Sequence, residues 1–422
     1  MVANLIGRRI CGFRYGYQMT KLDLPGVSGV AGGPTQAGLM VQISAAHLVS
    51  HLHIMTVPVL LPLLPAVMGV GFVELGFAIS IFGIVSAVLQ TPMGYVVDRF
   101  GARPMLMAGL ALGSISFALV AVSPTYETLI VAMALAGIAN CVYHPSDYSI
   151  LSQSIDSERM GRAFSIHTFA GYLGNALAPL VLVSIALAFG VGWAFAASGT
   201  AGVLALFAVL AGKSIVKPAS PQRVSAQDKP YSSKAGSLAW NPIFVLTAFF
   251  VLISLGVGAI DRFSVSAFVQ GFGVSLPTAN LALTVFLFSS AFGVLAGGML
   301  ADRTNRHGIV AAAAFALAAA ILTAVILLRP PGILLVVMVG AIGFLTGIVA
   351  PSRDLLVREA SPPGAEGRVF GIVSTGFNIG GIIGPILYGY LLDIKLASGV
   401  LWASVGFMIA TTIIVLIQER QR

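Results

Sequence analysis

The chain has 422 residues, of which 57% are hydrophobic and only 9% charged. Soluble domains carry about 25% charged residues, so a soluble enzyme of this length is excluded, while about 20 apolar residues per crossing allow roughly twelve membrane helices. The +8 net charge comes with no basic patch on a foldable soluble unit, so it reads as loop charge orienting the chain in a bilayer rather than as a nucleic-acid surface.

Residues 1–36 are Gly-rich and carry Arg8, Arg9, Arg14 and Lys21 without an apolar signal-peptide core. They are expected to form a disordered cytoplasmic tail, with Met19 as a candidate start. Apolar segments follow at about 38–66, 72–96, 104–123, 126–152, 162–187 and 190–212, then at about 241–270, 277–300, 308–328, 333–356, 367–391 and 396–417. Between the sixth and seventh lies a polar linker, 213–240, with Lys213, Lys217, Arg223, Lys229 and Lys234 against Asp228. The layout is an all-α membrane protein of twelve transmembrane helices: a six-helix bundle over 37–212, a second over 241–417 and a short tail at 418–422. Cys11 and Cys141 match no metal or disulfide spacing, and Cys141 reads as a small buried filler.

With both ends cytoplasmic, every Lys and Arg except Arg262, Arg329, Arg353 and Lys395 falls on the cytoplasmic side, which satisfies the positive-inside rule. The halves also repeat one another. Gly94, Asp98 and Arg99 recur 204 residues later as Gly298, Asp302 and Arg303. Pro145, Ser146, Gly161, Arg162, Phe164, Gly174 and Pro179 recur 206 residues later as Pro351, Ser352, Gly367, Arg368, Phe370, Gly380 and Pro385. A gapless series of this kind marks two pseudo-symmetric bundles around a central cavity, the plan on which many transporters build two conformations.

The stretch GYVVDRFGARP at 94–104 resembles the signature loop of the major facilitator superfamily, between its second and third helices, and GMLADRTNRHG at 298–308 resembles a degenerate second copy. The resemblance runs from about 38 to 417. The order of motifs, with HPSDYS at 144–149, is similar to the branch that includes fosmidomycin-resistance-like exporters. It implies a latch in which Asp98 reaches the first turn of the eleventh helix near Gly367–Arg368, and so stabilises the outward-open state. Gly94, Gly101 and Gly298 would permit close packing. Arg99 and Arg103 would hold cytoplasmic carbonyls or lipid phosphates, and Asp302 and Arg303 are the second copy's latch candidates. The alternative is that these charges only anchor the loops. One departure from the superfamily stands out. Its antiporters typically carry a GPxxGG-like element in the fifth helix, whereas this chain has GYLGNALAP at 171–179.

Ionisable side chains inside spans are costly and therefore mark function or pairing. Five lie there: Asp147, Asp261, Arg262, Arg353 and Asp354. Asn140, His144 and Asp147 share one face of the fourth span at i, i+4 and i+7. The 206-residue offset carries Asp147 onto Arg353, so the two are candidates to pair across the pseudo-twofold; alternatively Arg353 bonds its neighbour Asp354. Asp261 and Arg262 are candidates for an external gate or substrate contact, or are solvated if the seventh span ends early. His47 and His51 share a face, and with His144 they can converge near mid-membrane as proton carriers or anion donors. The other reading is helix-to-helix hydrogen bonding, which applies equally to His53 and His167. His307 falls in a loop. Asn378 completes the candidate substrate and proton pathway.

No metal is expected, because the HxxxH pair has no carboxylate or thiolate nearby in its span. No phosphate-binding loop GxxxxGK[ST] is present, so no nucleotide or other cofactor is expected. The expectation is a non-enzymatic secondary active transporter in the inner (plasma) membrane, acting as a monomer by alternating access. It would move a small, anionic or amphoteric organic solute coupled to protons, with no nucleic-acid partner. The resemblance favours efflux; a proton-coupled importer of an organic acid is the alternative, and a transporter-like sensor or lipid flippase a minor one.

Overall fold

The computed structural model describes residues 34–155, 159–212, 240–361 and 366–420, all-helical apart from short connections and without a strand. The expectations for residues 1–33, for nearly all of the linker and for 421–422 lie outside these. Among the described residues, twelve helices are long and apolar enough to cross a membrane. They are α1 (Pro34–Leu60), α2 (Phe72–Phe100), α3 (Ala102–Val122), α4 (Tyr126–Ser154), α5 (Met160–Ala178), α6 (Val191–Ala211), α7 (Trp240–Phe272), α8 (Leu276–Ala301), α9 (His307–Leu328), α10 (Gly332–Glu359), α11 (Glu366–Asp393) and α12 (Ala397–Arg420). The ends of the bundle are called here the motif end, which carries the 98–103 loop, and the far end.

Proline shapes two of these helices. Pro58, Pro62 and Pro65 lie where α1 stops and a short turn, Leu64–Met68, takes over. Pro179 lacks an N–H, and at that point α5 passes through a π-helical turn (Pro179–Val183) into Ser184–Phe189. Polar caps start α4 and α8: Thr125 accepts from the Thr128 N–H at 3.3 Å, and Ser275 from the Thr278 N–H at 3.4 Å. His307, expected in a loop, is the buried first residue of α9, with Nε2 3.7 Å from Glu359 Oε1. At the motif end Arg103 donates to the Val209 carbonyl at 2.6 Å and also to that of Gly212, so it caps the exposed carbonyls of α6.

The halves meet at the far end. One apolar core runs continuously from Leu60, Phe72 and Leu75 to Tyr388, Leu392 and Phe263, whereas a second, built on Ile43, Leu106, Tyr143 and Leu151, stays within the first half at the motif end. Ser80 Oγ donates to the Ile382 carbonyl at 2.7 Å. Gly76 abuts the Pro385 carbonyl so closely that a Cβ would overlap it. On the other side of the pseudo-twofold, Asn280 Nδ2 donates to the Pro179 carbonyl at 3.0 Å, next to the π turn. Gly76 and Asn280 are related by the 204-residue offset, and Pro179 and Pro385 by the 206-residue one. The two crossings are thus equivalent positions of the repeat.

Toward the motif end α2 leaves its partner. Val88 and Tyr95 are exposed, and nothing lies within 4 Å of the Cβ position of Gly94 or Gly371. The molecule is therefore closed at the far end and splayed at the motif end. Gly76→Val should drive α2 and α11 apart, at a cost of about 1–3 kcal/mol typical of overpacking. The expected result is a lower unfolding midpoint and faster labelling of a cysteine at Ser80.

Candidate functional site

Between the halves lies a cavity of about 400 Å³, lined by α1, α2, α4 and α5 from one half and by α7, α8, α10, α11 and Phe315 of α9 from the other. Its polar lining includes Asn140, Tyr172, Asn175, Asp261, Arg262, Arg353 and Asn378. The volume suits a small organic molecule. Of the charges on its wall, Asp261 and Arg262 are 3.7 Å apart on one helix, and Arg353 bonds Asp354 through Nε and Nη2, both at 2.8 Å. α7 continues to Phe272, so Asp261 and Arg262 are within the span and face the cavity. The Arg353 guanidinium also sits over two rings, 5.2 Å from the Phe250 centroid and 4.9 Å from that of Phe377. Each guanidinium is matched by a neighbouring carboxylate, Arg262 by Asp261 and Arg353 by Asp354, so the wall offers guanidinium donors to an anion without an excess of positive charge.

The Asp147–Arg353 pair is not made in this conformation, since Arg353 is held by Asp354. Asp147 is fully buried in the first half, and the basic atom recorded near it is His167 Nε2, at 3.6 Å. Neither carboxylate oxygen has a hydrogen-bond partner among the described residues.

Around Asp147 gather the histidines. His167 stacks on His47 with centroids 3.8 Å apart, and His47 meets His51 edge-on at 4.6 Å and His144 at 5.5 Å. His47 Nδ1 donates to the His167 carbonyl at 2.8 Å, and His51 Nδ1 donates to Asn175 Oδ1 at 3.2 Å. None of these rings lines the cavity itself. Asn175 is the junction, since it lines the cavity and holds His51. His53 faces elsewhere and donates to the Ser198 carbonyl at 3.0 Å, an α1–α6 tie rather than part of the cluster.

One residue outside the sequence-derived candidates joins the halves most directly. The Asp393 carboxylate, at the end of α11, accepts from the Phe72 and Val73 N–H groups at the start of α2, each at 2.8 Å. A carboxylate on the free N–H groups of a helix N-terminus combines charge-assisted hydrogen bonds with a favourable dipole. The arrangement is the far-end counterpart of the contact that Asp98, at the end of α2, would make with the start of α11. Asp393 lies just past the hydropathy-derived end of its span, so sequence alone files it as a loop charge.

The family model described as Major Facilitator Superfamily matches residues 43–268 and again 259–422. The chain belongs to that superfamily of transporters. Among superfamily relatives, it is 26% identical to the Fosmidomycin resistance protein of Escherichia coli (strain K12), over 87% of this chain and 90% of that one. It is also 26% identical to Probable anion transporter 6 of Oryza sativa subsp. japonica, over 76% and 80%. The crystal structure of a bacterial homolog to the human lysosomal transporter Spinster, inward-facing and unoccupied, shares its fold with a TM-score of 0.75 at 14% identity, covering 92% of this chain and 96% of that one. The superfamily fold expected from the repeat, two six-helix bundles around a central cavity, is the one observed.

Proposed function

We propose that the chain is a proton-coupled exporter of a small, anionic or amphoteric organic solute. In this reading it lies in the inner membrane with both termini cytoplasmic, so the motif end is the cytoplasmic end and the conformation described is inward-open. The observation that carries the reading is the shared Asn175: a cavity with two guanidinium groups on its wall is joined through that side chain to a cluster that includes the buried Asp147. Solute would enter from the splayed motif end and compete with Asp261 and Asp354 for the guanidinium donors of Arg262 and Arg353. Asp147 is the proton carrier of choice, because a buried carboxylate without hydrogen bonds is tolerable only when neutral or freshly paired. Relatives named for fosmidomycin resistance and for multidrug efflux support export. Those named as anion transporters favour the second reading, proton-coupled import of an organic acid.

A thermal-shift screen on purified protein would find candidate solutes. Uptake into proteoliposomes of known orientation with an imposed pH gradient then separates export from import. Transport indifferent to both the gradient and a protonophore would defeat proton coupling. For an anionic solute, Arg353→Ala should raise KM roughly 30-fold, the equivalent of about 2 kcal/mol for a hydrogen bond to a charged group. Arg353→Lys should fall between, since lysine keeps the charge but lacks the planar fork. An unchanged KM in both variants would remove Arg353 from the binding site.

A further inference from the structure

We propose that His47, His51 and His144 form a binding site for one transition-metal ion of the zinc class, between α1 and α4 and behind the cavity wall. One ring nitrogen from each of the three histidines lies within 4.8 Å of the other two. His47 and His51 are one turn apart on α1, and the third ligand comes from a different helix, which is why spacing within one span does not reveal the set.

The tautomers are fixed for the task. Nδ1–H of His47 is committed to the His167 carbonyl and that of His51 to Asn175 Oδ1, so each presents an Nε2 lone pair. Metal-bound histidines are oriented in this way, by a carbonyl or amide acceptor on the nitrogen that does not bind. His47 is 4% exposed, yet its Nε2 has no hydrogen-bond partner among the described residues, and the same holds for Nδ1 of His144. Leaving a buried polar atom unsatisfied costs about 1–3 kcal/mol, and a bound cation would satisfy both at once.

There is also room. A Cβ at Gly171 would lie 2.7 Å from Cε1 of His47 and 2.9 Å from Nε2 of His51, so the glycine keeps the space between the rings clear. Tetrahedral zinc with bonds of about 2.0–2.1 Å places its ligand nitrogens about 3.3 Å apart, so the rings need to close by about 1.5 Å, which side-chain rotation supplies. Three imidazoles leave a fourth position for water. Because none of the rings lines the cavity, the ion would be a fixed brace of α1 against α4 rather than cargo. The site does not depend on the direction of transport.

The test uses full-length protein carrying a tag without histidine, stripped with chelator and then titrated with Co²⁺ and Zn²⁺. The expected result is one ion per chain. Co²⁺ should give visible bands of four-coordinate intensity that Zn²⁺ bleaches. Asn175→Ala should weaken binding roughly 10–100-fold, as loss of a supporting partner does. His51→Gln and His144→Gln should weaken it further, with the unfolding midpoint of the metal-free protein unchanged. His307→Gln should bind as the parent does. X-ray absorption of the zinc-loaded parent should show three imidazole ligands, a readout that needs no variant to fold. Fewer than three imidazoles, no stoichiometric binding, or binding indifferent to both His51→Gln and His144→Gln would overturn the proposal.

Discussion

Asp393→Ala is expected to move the protein out of the far-end-closed conformation. Its carboxylate alone accepts from two N–H groups of the opposite half, at 2.8 Å each. Hydrogen bonds to a charged group contribute about 1.5–3 kcal/mol, so losing the clamp should shift the equilibrium between the two conformations roughly 10–150-fold toward the far-end-open state. The sign follows from geometry: the clamp exists only while α2 and α11 touch at the far end. Spin labels at Tyr95 and Thr375, both exposed toward the motif end of those two helices, report the change. In Asp393→Ala their separation should shorten as the motif end closes, in a background lacking Cys11 and Cys141. Asp393→Asn keeps one acceptor oxygen and should shift less. Asp98→Asn should leave the separation long, because the latch assigned to Asp98 belongs to the opposite state. Combining Asp98→Asn with Asp393→Ala should bring the two populations back toward each other. A separation unchanged by Asp393→Ala would mean that packing at Gly76–Pro385 and the Ser80–Ile382 bond hold the far end without the carboxylate.

The contrast between Asp98 and Asp393 shows what the sequence can and cannot reveal. Hydropathy finds the spans because membrane solvation acts on each helix separately, and all twelve are recovered within a few residues. The repeat is equally legible, since it needs only the 204- and 206-residue offsets. It even relates Gly76 to Asn280, whose matching roles at the two crossings emerge only in three dimensions. Contacts are another matter. The acceptor for Phe72 and Val73 is a side chain more than 300 positions away, and its targets are backbone groups with no sequence signature. Asp147 and Arg353 fail as a pair for a related reason. Positions related by a twofold touch only when they lie on its axis, and in the splayed state Arg353 is already satisfied by its neighbour Asp354. The histidines were legible as a set of candidates, but their convergence depends on Gly171 letting α5 approach α1, and no periodicity encodes that.

Asp147→Asn is expected to abolish accumulation driven by a pH gradient while sparing solute exchange down a concentration gradient. Asparagine has nearly the shape of the neutral acid, so the packing around His167 and Tyr143 should persist. It cannot take up and release a proton, so the coupled step is lost outright rather than slowed. The position supports this assignment. Asp147 is seven residues from the end of α4, about 10 Å at 1.5 Å per residue, so a proton leaving it toward the motif end has a short way to travel. In the alternate state the path must run the other way, through the cavity that Asn140 and Asn175 border. Asp261→Asn provides the comparison. Asp261 lines the cavity beside Arg262, so neutralising it should alter solute affinity and leave gradient-driven accumulation intact. The measurement is radiolabelled counterflow and pH-driven uptake on the same proteoliposomes. If Asp147→Asn loses both activities, the residue is needed for folding or for the conformational change rather than as the carrier. If Asp261→Asn alone loses accumulation, the proton travels in the second half, and the buried carboxylate of the first serves only to position the rings around it.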